Sequence, residues 1–451
     1  MLRKIIVLII LLCCCAPRYN LQKSDDFKLK QINKVEQDEK ALIFLSLSGG
    51  GSRAATMSWR TLEVFKNIPY IYKNENGEKI KSNLADQIDY VSGISGGSFA
   101  ASAWCLYKDS MNVFRKKFID VNVQKKLALK PILYPWIGFR MIFSNNYDRI
   151  DVAAHYYDKY VFEKKTFKDL PSHPVLWVNS THLALATRFT YTQEFFDLLN
   201  SDLNSYPIGF ACAASSAFPI LLSPITLKNY GKTLPDSIMK QNTKYRMAKR
   251  NSKRNIEKDF YCRMIEFYND KSNKWMHYAD GGLVDNQGLQ IIIDNFSTNG
   301  IINKALNNSN KPLNRLVIIN VNAGTDKEDN SCKKEKAPGV TSVINYTMTT
   351  SMNILSAKRW MKIKSLCSEQ NKVAINAKKN NDSSSTLIEL EKPYCIEINA
   401  RNLDSKNLKQ AFSELPTSFY MNKEQIALID SVVPILIKEN KDVQRLIKTI
   451  Q

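Results

Sequence analysis

The stretch that decides the fold is Asp-Tyr-Val-Ser-Gly-Ile-Ser-Gly-Gly-Ser-Phe-Ala at residues 89–100. An apolar, strand-like approach reaches a glycine-rich turn and continues into small residues typical of a closely packed helix. This strand–turn–helix order is the context that a G-x-S-x-G nucleophile elbow requires. Gly93 and Gly97 would let the two backbones pass closely, and Ser95 would stand at a helix N-terminus, where unpaired amides favour negative charge. Alone, the motif is equally compatible with a Gly/Ser turn that only starts a helix.

A second strand–loop–helix unit lies earlier in the chain. Residues 41–48, Ala-Leu-Ile-Phe-Leu-Ser-Leu-Ser, predict a buried strand that leads directly into three glycines and then a helix. A glycine-rich turn in this position presents a nest of backbone N–H groups, which can hold a phosphate or an oxyanion. The turn is not a Walker loop, because no Gly-Lys-Ser/Thr follows, and Ala54 stands where a strict dinucleotide fingerprint has its third glycine.

A third motif is Asp-Gly-Gly at residues 280–282, which ends the predicted strand that begins near Trp275. The carboxylate of Asp280 would project from a strand terminus at a glycine turn. The order serine, acid, histidine of an α/β-hydrolase finds no support, because no histidine follows Asp280. With an earlier acid, Asp151 or Asp197, His277 would fit the order, but it lies immediately before the Asp-Gly-Gly turn on the same predicted strand. We therefore interpret all the histidines as structural or surface residues.

Together these motifs resemble the patatin-like phospholipase family. The segments that carry the resemblance are Leu-Ser-Leu-Ser-Gly-Gly-Gly-Ser-Arg-Ala-Ala at 45–55, Val-Ser-Gly-Ile-Ser-Gly-Gly-Ser-Phe at 91–99 and the Asp-Gly-Gly at 280–282, in that order. Residues 214–219, Ala-Ser-Ser-Ala-Phe-Pro, resemble the family's small-residue helix beside the active site. The resemblance implies a three-layer α/β/α fold with a central, mostly parallel sheet.

The resemblance also implies roles for individual residues. Ser95 would be the nucleophile and Asp280 the general base, with Gly281 and Gly282 forming the turn beside the base. The oxyanion hole would come from the loop of Gly49, Gly50, Gly51 and Arg53, and the elbow glycines would be Gly93 and Gly97. For Arg53 the alternatives are a charge beside the hole, a brace for its loop, or a partner for a structural carboxylate.

The chemistry expected of this set is hydrolysis of ester bonds in phospholipids or related acyl lipids. A serine needs a base and an oxyanion stabiliser, and a carboxylate serves as the base when it is partly desolvated. Neither a metal nor a cofactor is expected. Two alternatives remain: a non-catalytic surface lipoprotein that keeps the fold and binds lipid or a partner, and a phosphate held by the glycine loop.

Composition points to a membrane surface as the partner. The 451 residues, 44% hydrophobic and 24% charged, are those of a globular protein with a formal net charge of +21. Such a charge favours anionic surfaces, and the chain carries neither a zinc-ligand spacing nor a recognisable nucleic-acid module. We therefore expect no nucleic-acid partner. Basic residues crowd into an apparent insertion at 227–274, either a solvated loop or a docking site for anionic headgroups.

The N-terminus predicts export. A short basic start, an apolar run at 5–12 and three cysteines make residues 1–15 similar to a bacterial lipoprotein signal, with Cys15, or else Cys14 or Cys13, as the lipid acceptor. The apolar run is too short to span a bilayer. The alternative is an ordinary cleaved signal and a secreted protein. A polar tether would follow at 16–40, and one catalytic domain at 41–451, with loop excursions at 325–340 and 368–386.

The aromatic residues and the cysteines lead to two further expectations. The aromatic residues between 106 and 168 should pack in the interior, with at most a minority exposed as an apolar mouth toward lipid. Cys105 and Cys212 lie in apolar, small-residue segments and should be core thiols. The spacing leaves open whether the other cysteines pair; these are Cys262, Cys332, Cys367 and Cys395.

Overall fold

A computed structural model describes residues 38–74, 76–144, 147–219, 221–231, 256–297, 300–308, 313–325, 335, 337–379 and 391–451. These residues form two compact units. The large unit comprises 38–124, 171–179 and 281–451, and the small unit comprises 125–170 and 180–280. The predicted signal with its cysteines, most of the tether, the most basic part of the insertion and most of the excursion at 325–340 lie outside the described residues.

The strands follow the apolar runs of the sequence. They are β1 Ala41–Leu47, β2 Pro69–Lys73, β3 Lys79–Asn83, β4 Tyr90–Ile94, β5 Val175–His182, β6 Thr187–Thr190, β7 Ile225–Lys228, β8 Trp275–Asp280, β9 Arg315–Asn322 and β10 Tyr394–Asn399.

The α-helices of the described residues are α1 Gly51–Lys66, α2 Gly96–Tyr107, α3 Asn112–Phe114, α4 Val123–Leu133, α5 Pro135–Phe143, α6 Arg149–Tyr156, α7 Gln193–Leu198, α8 Ile208–Ser215, α9 Ile256–Asn269, α10 Gly282–Asp285, α11 Gln290–Asp294, α12 Ile301–Leu306, α13 Val340–Lys379, α14 Lys406–Ser413, α15 Lys423–Glu439 and α16 Lys441–Ile450. Short 3₁₀ turns occur at Lys108–Ser110, Phe167–Asp169 and Ala400–Asn402, and π-helical turns at Arg115–Ile119 and Tyr157–Val161.

The large unit is built on a parallel sheet in the order β10-β9-β1-β4-β5, with β2 and β3 as a separate antiparallel pair. Alternate residues of β1 serve opposite faces, as the pleat requires. Leu42 and Phe44 pack with Trp360 and Ile363 of α13 on one face. Helices α1 and α2 pack against the other face, beside β9 and β1. The predicted layered arrangement, helices on both sides of a mostly parallel sheet, is confirmed.

The small unit contains the antiparallel strands. Residues 180–182 of β5 pair with residues 278–280 of β8, whose other edge pairs with β7, and β6 pairs with β5. Its core is aromatic: the rings of Phe189 and Tyr278 have centroids 4.3 Å apart, and Tyr191 stacks on Tyr206 at 5.6 Å. These side chains are fully buried. The end of β8 therefore packs into a core of buried aromatic rings.

The structure corrects the predicted loop at 368–386 and describes part of the apparent insertion at 227–274. Residues 368–379, part of the predicted loop at 368–386, continue the helix α13, which ends only at Lys379. Part of the apparent insertion at 227–274 is regular structure as well, because β7 ends at Lys228 and α9 occupies Ile256–Asn269.

The aromatic segment between 106 and 168 divides into buried and exposed parts. Phe114, Phe118 and Tyr157 are buried, as predicted. The helical hairpin of α4 and α5 is different, because Trp136 is 56% exposed and Ile142 is 75% exposed. The predicted interior packing is wrong for this hairpin. The core positions of Cys105 and Cys212 are confirmed, since both are buried free thiols.

Candidate active site

Ser95 sits on a strained turn between β4 and α2. Its φ is 47° and its ψ is −122°, a conformation that residues other than glycine rarely adopt. Its carbonyl oxygen accepts hydrogen bonds from the amide of Ser98 at 3.0 Å and from the Ser98 hydroxyl at 2.6 Å. Helix α2 begins directly after Ser95, so the residue stands at a helix N-terminus. This is the geometry that exposes a serine hydroxyl at an elbow.

Two glycines let strand and helix approach. A Cβ at Gly93 would lie 2.6 Å from the Cα of Ser98, and a Cβ at Gly97 would lie 2.4 Å from the carbonyl oxygen of Leu47. Either atom would push the helix away from the strand ends. The sharp turn at Ser95 therefore requires residues without a Cβ atom at positions 93 and 97.

The glycine loop between β1 and α1 lies against this elbow. Gly50 and Gly51 have φ values of 137° and 61°, which glycine adopts without strain. A Cβ at Gly96 would stand 1.9 Å from the carbonyl oxygen of Gly51. Because β1 and β4 are parallel neighbours with Leu47 opposite Gly93, the segments that follow them meet at one edge of the sheet.

The backbone amides of this loop differ in their hydrogen bonding. The amide of Gly49 donates a 2.8 Å hydrogen bond to the carbonyl oxygen of Asn286 and is already used. Within the described part of the chain, the amides of Gly50 and Gly51 have no hydrogen-bond partner. Of the three glycine amides expected to form an oxyanion hole, only that of Gly49 thus has a partner among the described residues. The amide of Gly96, which directly follows Ser95, is a further candidate donor that the sequence analysis missed, although its position in G-x-S-x-G signals it.

Arg53 braces the loop. Its side chain is buried, and it donates to the carbonyl oxygen of Ala323 from Nε at 2.9 Å and to that of Leu415 from Nη1 at 2.6 Å. Burial lowers the pKa of the guanidinium to about 10, so the group stays charged at neutral pH. Of the three predicted roles, bracing the loop matches these contacts. Its hydrogen-bond partners among the described residues are main-chain carbonyls, not a carboxylate.

Asp280 ends β8 in the small unit, as the sequence predicted for a strand terminus. It is buried, with its amide donating to the carbonyl oxygen of Ala217 at 3.0 Å. Its own carbonyl accepts the Thr181 hydroxyl at 2.8 Å, and Ser180 lies opposite it in the strand pair. The main chain at Asp280 is thus fixed on both sides.

The glycine turn after Asp280 belongs to the large unit. A Cβ at Gly281 would lie 2.4 Å from the carbonyl oxygen of Asn179 and 3.2 Å from Cδ1 of Ile94, the residue before Ser95. Gly282 begins the short helix α10. The turn therefore needs glycine at 281 because the backbone passes close to β5 and β4.

The segment that follows is tied to the strand ends of the large unit. Asp285 is buried, accepts the amide of Gln290 at 2.7 Å and lies 3.9 Å from Arg359 Nε. Ser92 donates to the carbonyl oxygen of Gly288 at 2.8 Å, and Asn179 donates to Ser92 at 3.0 Å. Asp285, through the Gln290 amide, and Asn286, whose carbonyl oxygen accepts the Gly49 amide, thus hold the turn in place.

The histidines lie in packing or hydrogen-bonding positions. Burial lowers the pKa of His173 and of His182 to about 4, and it also lowers the pKa of His155. All three are therefore neutral at pH 7. The ring of His277 lies 2.9 Å from the hydroxyl of Thr226 on the neighbouring strand.

The described residues contain neither a metal-binding cluster nor a membrane-spanning helix. They contain no group of three or more His, Cys, Asp or Glu residues able to hold a metal ion. Among them no helix combines the length and the apolar character needed to cross a bilayer.

Comparison with protein families identifies this arrangement. Residues 45–293, more than half of the chain, match the family described as patatin-like phospholipase. The matched range contains the glycine loop, the Ser95 elbow and the Asp-Gly-Gly turn. The chain belongs to the patatin-like phospholipase family. Members of this family are in general lipid acyl hydrolases. Membership therefore supports lipid acyl hydrolysis at the level of the family.

Comparisons with curated sequences and with solved structures do not refine this family assignment. No curated protein sequence matches this patatin-like chain. Among solved structures it is similar to VipD from Legionella pneumophila, at 14% identity and a TM-score of 0.31, covering 96% of this chain and 70% of that one.

Proposed function

We propose that this chain hydrolyses carboxylic ester bonds of phospholipids or related acyl lipids, with Ser95 as the nucleophile. The observation that carries the proposal is the pairing of a serine in a strained elbow with a loop whose Gly50 and Gly51 amides have no partner among the described residues. Preorganised amides beside a nucleophile stabilise the oxyanion of a tetrahedral intermediate.

We propose further that Asp280 is the general base. The position of Gly281 supports this, because Gly281 directly follows Asp280 and lies against Ile94, which directly precedes Ser95. Burial of Asp280 also supports it, because a desolvated carboxylate holds a proton more readily than an exposed one.

The reaction sequence follows from these roles. Asp280 accepts the proton of the Ser95 hydroxyl while Ser95 Oγ attacks the ester carbonyl. The amides of Gly50, Gly51 and Gly96 then stabilise the oxyanion. Collapse breaks the ester bond, and the leaving alcohol takes the proton from Asp280, which leaves an acyl-enzyme on Ser95. Water then gives its proton to Asp280 and its hydroxyl to the acyl carbon. Collapse breaks the bond between Ser95 Oγ and the acyl carbon, Asp280 returns the proton to Ser95 Oγ, and the fatty acid leaves.

The experiment compares phospholipid hydrolysis by the full chain and three variants. Ser95→Ala should lower kcat at least about a thousandfold, and Asp280→Asn at least about a hundredfold. Ser58→Ala, a buried serine within α1, is the matched control and should leave kcat unchanged. Equal, measurable rates for wild type and Ser95→Ala would exclude Ser95 as the nucleophile. No turnover by wild type on any acyl lipid would favour the alternative of a non-catalytic lipid- or partner-binding protein.

We also propose that the protein acts at a membrane surface, and the helical hairpin of α4 and α5 supports this. Its inner residues Leu127, Ile137 and Met141 pack against the buried Tyr147 and Val152. Its outer side presents large apolar side chains to solvent, which are Ile132, Leu133, Tyr134, Trp136, Phe139, Ile142 and Phe143. Contiguous exposed apolar patches on soluble proteins mark interaction sites.

The composition of the hairpin fits an anionic bilayer. Residues 123–143 contain four Lys or Arg residues and neither Asp nor Glu. Lys130 and Arg140 lie over the rings of Tyr156 and Tyr147, at 5.7 and 4.8 Å. Aromatic side chains at the headgroup level and basic residues beside them suit the interface of an anionic leaflet.

Flotation of the full chain with lipid vesicles tests this docking. The triple variant Ile132→Ser, Trp136→Ser, Ile142→Ser should lose at least about tenfold in binding to anionic vesicles and keep its activity on a soluble short-chain ester. The control is Ile354→Ser, Met361→Ser on α13, whose side chains are also exposed. Loss of binding in the control, with none in the hairpin variant, would assign the membrane contact to α13 instead.

The final component of the proposal is export with lipidation at Cys15. It rests on the N-terminal pattern, a basic start, an apolar run and three cysteines. Metabolic labelling with a fatty acid should mark the wild type and not Cys15→Ser. Equal labelling of that variant would exclude Cys15, and variants of Cys13 and Cys14 would then locate the acceptor.

A further inference from the structure

Two cysteines lie together between α13 and β10 of the large unit. Cys367 is 5% exposed, and Cys395 is half-buried. Their sulfur atoms are 2.6 Å apart, roughly half an ångström more than the length of a disulfide bond. The structure has both as free thiols.

The contact is built into the core of the large unit. Trp360, Ile363 and Cys367 are spaced by three and four residues, which places them on one face of α13. That face packs on the sheet, where Cys395 of β10 is in register with Ile318 of β9. Both backbones are fixed by regular structure, so the sulfur atoms meet without an unusual conformation of either element.

We propose that Cys367 and Cys395 form a disulfide bond that joins the long helix α13 to the edge strand β10. The two cysteines are 28 residues apart in sequence, so the bond would close a loop of substantial conformational entropy in the unfolded chain. The described residues supply no third His, Cys, Asp or Glu ligand beside the pair.

The bond forms by thiol–disulfide exchange with an external disulfide, such as oxidised glutathione or a protein disulfide oxidant. The more exposed Cys395 loses its proton and attacks the external disulfide, which releases one external thiolate and leaves a mixed disulfide. The thiolate of Cys367 then attacks the Cys395 sulfur and releases the second external thiolate. The two cysteine protons are taken up by the two released thiolates, and the external disulfide accepts the two electrons.

The compartment decides whether the bond persists. Disulfides survive in oxidising compartments outside the cytoplasm and are rare inside it. The bond therefore fits the export proposed from the N-terminus, although its formation in a glutathione buffer does not depend on where the protein resides.

Peptide mapping tests the bond without any variant. The full chain is equilibrated with oxidised glutathione, its remaining thiols are alkylated and it is digested with trypsin. We expect residues 365–372 joined to residues 380–401 and separated by reduction. Recovery of both peptides alkylated and unlinked after oxidation would overturn the proposal, as would either cysteine linked to another one.

Counting free thiols in unfolded, oxidised protein gives an independent signature. The double variant Cys367→Ser, Cys395→Ser should have the same number of free thiols as the wild type. The single variant Cys367→Ser should have one more, because it frees Cys395. One fewer free thiol in the single variant would mean that the pair is reduced in the wild type.

Thermal unfolding shows what the bond does. Reductant should lower the melting temperature of the wild type by several degrees, on the order of 3–10 °C, and leave that of the double variant unchanged. A reductant effect of equal size in both proteins would place the stabilising bond elsewhere. These readouts involve no substrate, so they are independent of the proposed activity.

Discussion

The backbone of Gly96 lies directly against the carbonyl group of Gly51, so that a Cβ at position 96 would stand 1.9 Å from that oxygen. This approach joins the first residue after Ser95 to the loop whose Gly50 and Gly51 amides have no partner among the described residues. The Ser95 elbow and the glycine loop therefore form one closely packed assembly in the large unit.

Gly96→Ala should break this assembly. Backbone is the nearest neighbour, so the added methyl group can be accommodated only by moving α2 away from the loop. We expect the free energy of unfolding to fall by about 1–3 kcal/mol or more and ester hydrolysis to be lost. Urea unfolding measures the first effect. Gly339→Ala is the control, because a Cβ there has no neighbour within 4 Å among the described residues, and a comparable loss in it would refute the steric account.

Ser95→Gly should be more stable than Ser95→Ala. The conformation of residue 95 strains any side chain, whereas glycine adopts it freely. We expect the glycine variant to gain about 1 kcal/mol over the alanine variant, while both are inactive. Differential scanning calorimetry compares the two. A less stable glycine variant would mean that the turn stores no strain.

Arg53→Met should lower both stability and turnover. It leaves the buried carbonyl oxygens of Ala323 and Leu415 without their donor, which costs about 2–4 kcal/mol. Because the loop amides would shift, we expect kcat to fall at least about tenfold, with less change in KM. Arg60→Met is the control on the same helix, since Arg60 makes a single 3.2 Å bond to the Asp430 carbonyl and is only partly buried. A drop in KM alone, with kcat intact, would contradict the bracing role.

Asp89→Asn should change how stability depends on pH. Burial raises the pKa of this carboxyl from 3.8 to about 8, with the charge of Asp38 adding to the rise. The folded state thus keeps the proton to higher pH than the unfolded chain, and wild-type stability should fall as the pH rises from about 4 to about 8. The asparagine variant should lose this part of the slope and be more stable than wild type at pH 8.5, by about 1 kcal/mol or more.

Urea unfolding at several pH values measures the effect of Asp89. Its Oδ2 accepts the amide of Ile43 at 2.7 Å, a bond that the asparagine oxygen can keep. Asp109→Asn is the control, because that side chain is 88% exposed. Parallel pH profiles for wild type and Asp89→Asn would show that the carboxyl titrates normally.

The sequence predicts the parts of this protein that local pattern determines. Apolar runs that end in glycine turns predict β1, β4 and β8, and parallel neighbours bring the first two loops to one edge. It does not predict that the Gly49 amide is used by Asn286, because that bond joins segments far apart in the chain. Nor does composition predict that the helix α13 continues to Lys379. Its residues Trp360, Ile363 and Cys367 are buried in the core, and this tertiary packing stabilises the helix so that the polar residues after them remain helical.

The exposed hairpin shows a second limit of the sequence. Residues 134–143 are apolar on nearly every side, so the pattern does not distinguish a buried helix from an exposed one. Only the packing of Ile137 and Met141 against Tyr147 and Val152 shows which side faces inward.

The central claim is that Ser95 attacks the ester with Asp280 as its base. Its most direct test is labelling of the full chain with a lipid-like fluorophosphonate, read by intact mass and peptide mapping. The account predicts one adduct on Ser95, none in Ser95→Ala, and labelling slowed at least about a hundredfold in Asp280→Asn. An adduct on another serine, or labelling of Asp280→Asn at the wild-type rate, would contradict it.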